Sequence, residues 1–168
     1  VGINLPNDQA IREQYGSKSV SLSNVNEAYD RSTPPELRRE FCWSAEEFER
    51  AQRWASFASE LTTNLHEVIG HGSGRVAERL SGNPQAALKE QFSTIEEARA
   101  DLVALYFIAD RKLVDLELVS VEDHAEIIRA EYEAYARNAL VQLRRVRQGT
   151  TIEEDHMRNR QMIVRWLM

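Results

Sequence analysis

The chain has 168 residues, 42% hydrophobic and 29% charged, with a formal net charge of -6 and a pI near 5.3. Such proportions exclude wholesale disorder, and no apolar run approaches the ~20 residues that a membrane helix needs. With 27 acidic against 21 basic residues a general nucleic-acid binder is disfavoured, and the lone Cys42 permits no intrachain disulfide.

The opening VGINLPNDQ has neither an initiator Met nor a signal-peptide pattern, and RQMIVRWLM stops on an apolar helical run. The sequence therefore reads as a cytoplasmic piece of something longer. Residues 1–43 read as an irregular segment. In it Asn7 could cap a short helix at DQAIREQY, KSVSLSNV is a weak strand, and STPPEL is a turn. From Ser44 the character changes. Ser44 and Glu47 make an S-x-x-E capping pattern, followed by Phe48, Ala51, Ala55, Ala58, Leu61, Leu65, Val68 and Ile69 on one helical stripe. Glycines in GHGSGR should loosen or end that helix, and Pro84 opens a short one. Ser93 with Glu96, or Thr94 with Glu97, opens a second long helix, whose LVALYFIA centre predicts burial all round. A third helix is expected from Ser120 to about Arg147, and a fourth from Thr151 and Glu154 through His156 to the end. The expectation is a mainly α fold, with residues 44–168 as one helical subdomain.

The chemistry concentrates at His66-Glu67-Val68-Ile69-Gly70-His71. Two imidazoles suit zinc, and a glutamate beside the first can take a proton from an activated water, as in HExxH peptidases. The spacing here is five rather than four. On a regular helix, positions i and i+4 lie ~40° apart but i and i+5 lie ~140° apart, too far for both rings to reach one ion. A metal site thus demands an over-wide turn between Glu67 and His71, eased by Gly70. For a third ligand, Glu96, Glu97 and Asp101 offer carboxylates. Residues 97 and 101 share a helix face, so one could bind metal while the other orients a histidine.

HEVIGHGSGR followed by EEARAD resembles the paired HExxGH and EE(C/A)RA(E/D) motifs of the dipeptidyl peptidase III family. That resemblance implies a zinc exopeptidase that releases dipeptides from the N-termini of short peptides. It implies His66, His71 and Glu97 as ligands to one zinc ion, Glu67 as general base, and Glu96 and Asp101 as supports of the ligand imidazoles. GINLPN is similar to the family's substrate-cleft segment, which implies peptide contacts at Asn4 and Asn7. DHMRNR is similar to its HMxxR segment, which implies transition-state stabilisation by His156 and substrate contact by Arg160. Ala98 replaces a common cysteine, and Asp101 stands where many members carry Glu. Only twenty-five residues lie between His71 and Glu97, which points to a bacterial branch. Family substrates lie between two lobes, so this piece, without the lobe it lacks, is expected to bind zinc yet cleave poorly.

Blander readings sit beside these. The acidic cluster could simply cap a helix N-terminus, and His156 could pair with its acidic neighbours at the surface. Asn4 and Asn7 are by default turn and cap residues. His124 reads as a solvated helix residue, and Trp43 and Trp54 as core or edge anchors. The face bearing Arg129, Glu133, Arg137, Arg144 and Arg147 reads as solvated or packed on absent parts. Two functional alternatives stay open: another zinc peptidase with a distant Glu ligand, or a non-catalytic helical module with a structural or empty metal site.

Overall fold

Residues 2–6, 8–80, 83–146, 149 and 151–168 are described by a computed structural model. The opening segment is less irregular than its composition suggests. Strand β1 (Gly2–Leu5) pairs antiparallel with β2 (Lys18–Ser21), in the register Asn4 opposite Ser19. Between them, α1 (Gln9–Tyr15) is capped by Asp8, whose carboxylate accepts from the Ile11 N–H, and Gly16 closes it at φ +79°. The expected Asn7 cap lies outside the described residues. Helices α2 (Ser23–Ser32) and α3 (Pro35–Phe41) follow. Neither contains a buried residue. Pro35 opens a helix rather than completing a turn, because at the first helical position its missing N–H costs nothing.

Helix α4 (Ala45–Leu65) begins at Ser44 as the capping pattern predicts, the Glu47 N–H donating to Ser44 Oγ. It packs along α8 (His124–Val141), and Ala58, Leu61, Ile127 and Ala130 form a core with Ile108, Leu113 and Val119. Charged pairs tie the same two helices: Arg50 to Glu126 and Glu133, and Arg137 to Glu47. Glu133 and Arg137 therefore face α4 rather than solvent, while Arg144 lies over the Phe41 ring. Arg147 lies outside the described residues.

The second long helix, α6 (Phe92–Phe107), starts without a side-chain cap. A 3-10 turn (Lys89–Gln91) leads straight into it, and Thr94 spends its hydroxyl on Asp155 instead. Its burial is partial. Ala98, Ala100 and Ala104 are buried, but Leu102 and Tyr106 are exposed, which corrects the expectation of burial all round. Helix α8 starts later than expected, because Ser120 Oγ accepts from the Asp123 N–H and forms a turn first. Helix α9 (Asp155–Leu167) is capped by Glu154 and packs on α6 and α8 through Ile163, Ala98 and Tyr135. His124 is not free in solvent: its Nε2–H donates to the Ile108 carbonyl at the end of α6 (2.8 Å). Trp54 packs on the core, whereas Trp43 is 96% exposed and anchors nothing. The result is a mainly α architecture in which no described helix is long and apolar enough to cross a membrane.

Candidate metal centre

Directly after α4 the helix widens. His66–His71 forms a π-helical turn, the wider helix type whose hydrogen bonds span five residues instead of four. The extra residue is absorbed there, so the two histidines, five apart in sequence, project from one side. Gly70 is required at this point. A Cβ on it would stand 2.9 Å from the Cα of Ala100 and 3.0 Å from its carbonyl oxygen, so only glycine lets the turn press against α6.

That approach brings three donor atoms together. His66 Nε2 lies 3.0 Å from His71 Nε2. Glu97 Oε2 lies 3.2 Å from the first and 3.5 Å from the second. Tetrahedral bonds of 2.0–2.1 Å hold neighbouring donors about 3.3 Å apart, so the triangle has the dimensions of three zinc ligands with one open position. The other ring nitrogens are engaged outward: His66 Nδ1 with Asp101 Oδ1 at 2.7 Å, and His71 Nδ1 with Glu96 Oε1 at 3.0 Å. Arg99 in turn donates to both oxygens of Glu96. With both Nδ1 protons given to carboxylates, the Nε2 lone pairs and Glu97 Oε2 face one another. Glu97 Oε2 is buried without a hydrogen-bond partner. Three donor atoms at this separation could hold a cation between them, and two imidazoles with a carboxylate are a donor set that suits zinc.

The electrostatics agree. Burial alone would lower the His66 pKa, but the neighbouring carboxylates of Asp101 and Glu97 outweigh it and hold it at about 9. His71 is raised against the same burial by Glu96 and Glu97. Burial pushes Glu96 up, yet Arg99 and His71 bring it to about 2. Glu97, likewise opposed by burial, is held well below the carboxylate range by His66 and His71. The pocket is built to hold positive charge.

A cavity of about 450 Å³ opens onto this cluster, with β1, Arg12, Glu67, Phe92 and His156 in its wall. Glu67 is buried beneath Gly2, where a Cβ would meet its Cγ and Oε1 at 2.4 Å. His156, on α9, is half exposed, with Nδ1 3.4 Å from Glu97 Oε2. Asn4 is buried at the wall and donates through Nδ2 to the Glu67 carbonyl (3.0 Å) and to Ser17 and Ser19. Among the described predicted site residues, Asp101, which backs His66, and Arg160 do not line the cavity. Arg160 Nη1 donates to Gln142 Oε1 and its guanidinium covers the Tyr135 ring, because one helical turn beyond His156 it faces α8. Asn7 lies outside the described residues. Motif reading missed Arg12, which donates to the His71 carbonyl at 3.0 Å, and Tyr135, whose hydroxyl donates to Asp101. Nothing in the spacing marks Arg12. Tyr135 leaves a weak signal, a phenol on the buried stripe Ile127, Glu131, Tyr135, Ala139 of α8.

A mainly α chain with a three-donor metal cluster on a π turn and a neighbouring helix is the class that fold and site define. The model of Peptidase family M49 matches residues 1–85 and 79–168, and the chain belongs to that family. Dipeptidyl peptidase 3 of Mus musculus is 27% identical over 197 aligned positions, covering 99% of this chain and 26% of that protein. The Homo sapiens protein of the same name is 26% identical with the same coverage. That of Nematostella vectensis is 36% identical over 75 positions, 45% of this chain and 10% of its own length. The chain thus spans about a quarter of the length of the first two relatives. The family resemblance, read from four short segments, extends through the whole chain.

Proposed function

We propose that this chain carries the zinc centre of an exopeptidase that releases dipeptides from the N-termini of short peptides. The observation that supports it best is the triangle of His66, His71 and Glu97, each imidazole backed by its own carboxylate. Membership of Peptidase family M49, and relatives named dipeptidyl peptidase 3, supply the reaction class.

In this reading His66, His71 and Glu97 hold the ion, and Asp101 and Glu96 keep both Nε2 lone pairs turned inward. Bound zinc supplies Lewis acidity, making a water at the open position acidic near neutral pH and stabilising negative charge on the substrate oxygen. Glu67 acts as general base: its carboxylate accepts the proton of the attacking water and delivers it to the leaving amine. Its side chain lies against Gly2, and its main-chain carbonyl is held by Asn4. His156 is free to donate to the developing oxyanion, a contribution of about 3 kcal/mol for a well-placed donor. Asn4 meets the peptide at the wall, and Asn7 is assigned the same role. The engaged guanidinium of Arg160 gives no support to a substrate contact there. The rest of the polypeptide completes the cleft.

The test is product analysis. The complete polypeptide, supplied with zinc, is incubated with unblocked penta- and hexapeptides, and products are read by mass spectrometry. Successive dipeptides from the N-terminus are expected. Release of single residues, or internal cleavage, would sink the assignment.

A further inference from the structure

We infer that Tyr135 is a positioning residue for this metal centre: acting through Asp101, its hydroxyl fixes the ring of His66 so that Nε2 faces Glu97 and His71. The inference rests on the proposed metal reading and extends it beyond the residues that touch the ion or its ligands.

Asp101 is shared between two donors. One carboxylate oxygen takes His66 Nδ1 at 2.7 Å and the other takes Tyr135 Oη, also at 2.7 Å. A carboxylate held at one oxygen can swing about its last torsion; held at both, it cannot. Tyr135 is itself immobilised. It is 7% exposed, packs with Ala98 and Ile163, and lies under the Arg160 guanidinium, whose carbon is 5.4 Å from the ring centroid. Arg160 is pinned by Gln142 Oε1 (2.9 Å), and Gln142 donates to the Met157 carbonyl (3.0 Å).

The fully buried Asn159 lies 3.2 Å from the same phenol oxygen. One phenolic proton cannot serve two acceptors, and the ionised, closer Asp101 takes it. The Asn159 Oδ1 contact is then the longer and weaker of the two, and Asp101 is the main partner of the phenol. Burial and the Asp101 charge both raise the Tyr135 pKa, so the phenol remains a donor across the working range. The α8–α9 interface is thereby wired to one metal ligand.

The experiment measures the apparent zinc dissociation constant of the complete polypeptide by chelator competition, for the parent, Tyr135→Phe, Asp101→Ala and the double variant. Tyr132→Phe serves as control, since its hydroxyl on the same helix only meets the Leu105 carbonyl. Tyr135→Phe should weaken zinc binding about tenfold, the lower end of the effect of outer partners of metal ligands. It should also change the visible d–d spectrum of the cobalt-substituted protein. In the Asp101→Ala background the same change should cost nothing further, and Tyr132→Phe should match the parent. An equal loss with and without Asp101 would show that Tyr135 acts only through packing and overturn the inference. So would zinc affinity within twofold of the parent. A parent that takes up no stoichiometric zinc would instead remove the metal reading itself, a separate outcome.

Discussion

Gly70→Ala tests the geometry on which the centre depends. The added Cβ would stand 2.9 Å from Ala100 Cα and 3.0 Å from both its Cβ and its carbonyl oxygen. Carbon contacts settle at about 3.5 Å or more, so the π turn and α6 must part by about 0.5 Å. His66 and His71 sit on one side of that contact and Glu97 on the other. Their 3.2 and 3.5 Å separations would open to about 3.7 and 4.0 Å, against the about 3.3 Å that zinc bonds span. Alanine gains about 1 kcal/mol of helix propensity over glycine, while overpacking against backbone costs up to about 3 kcal/mol. The net expectation is a loss of about 1–2 kcal/mol in stability and at least a tenfold loss in zinc affinity. Calorimetry and chelator competition read the two quantities. Adding Ala100→Gly should not restore the site, because the nearest atoms include main chain. Parent-like zinc affinity in Gly70→Ala, or rescue by Ala100→Gly, would refute the reasoning.

Glu67→Ala should reduce peptide turnover by at least about 10²-fold while leaving one zinc per chain by elemental analysis; loss of the metal would make Glu67 structural instead. His156→Ala should lower kcat about 10²-fold with zinc affinity unchanged, and an unaltered kcat would exclude it from the transition state. Glu131 is 6% exposed, and burial raises its pKa to about 7 from an ordinary 4.5. The folded chain therefore keeps a proton that the unfolded chain has released, so this group's contribution to stability is fullest below pH 4.5 and falls as pH rises to about 7, by about 3 kcal/mol. Glu131→Gln should remove that loss: urea unfolding should give a variant-minus-parent difference that grows from pH 4.5 to 7 and then stays flat, and a constant difference would refute it.

The helices with buried stripes, and Ser44 as the first cap, were legible from spacing alone, because periodicity and capping are local. The need for a widened turn at His66–His71 was also legible, since five residues cannot bring two rings together on a regular helix. What the sequence hid was decided at a distance. Helices α2 and α3 are short, contain no buried residue and offer only a few large apolar side chains, Val25 and Tyr29 in one and Leu37 and Phe41 in the other. Thr94 looks like a cap but serves Asp155, and His124 looks solvated but caps the end of α6. Glu133 and Arg137 look like a wet face until α4 supplies Arg50 and Glu47. Around the site, the spacing of Glu96, Glu97 and Asp101 exposed three carboxylates but not their division of labour. That division depends on which ring nitrogen each one meets.

The opening segment and the π turn explain one another. Carbonyls at both ends of the turn accept from outside the helix: Glu67 O from Asn4 Nδ2, and His71 O from Arg12 Nη1. Asn4 comes from β1 and Arg12 from α1, so the hairpin-like first residues clamp the turn that carries both imidazoles. This clamp constrains what Asn4 can still do. Its amide nitrogen has two protons and already faces Glu67 O, Ser17 Oγ and Ser19 Oγ, while Oδ1 is buried without a partner. Reversing the amide would set Oδ1 against the Glu67 carbonyl, two acceptors face to face, so the orientation is fixed. In the function proposed above, the unused Oδ1 would suit a donor of the peptide, an N–H or a terminal ammonium, rather than a carbonyl.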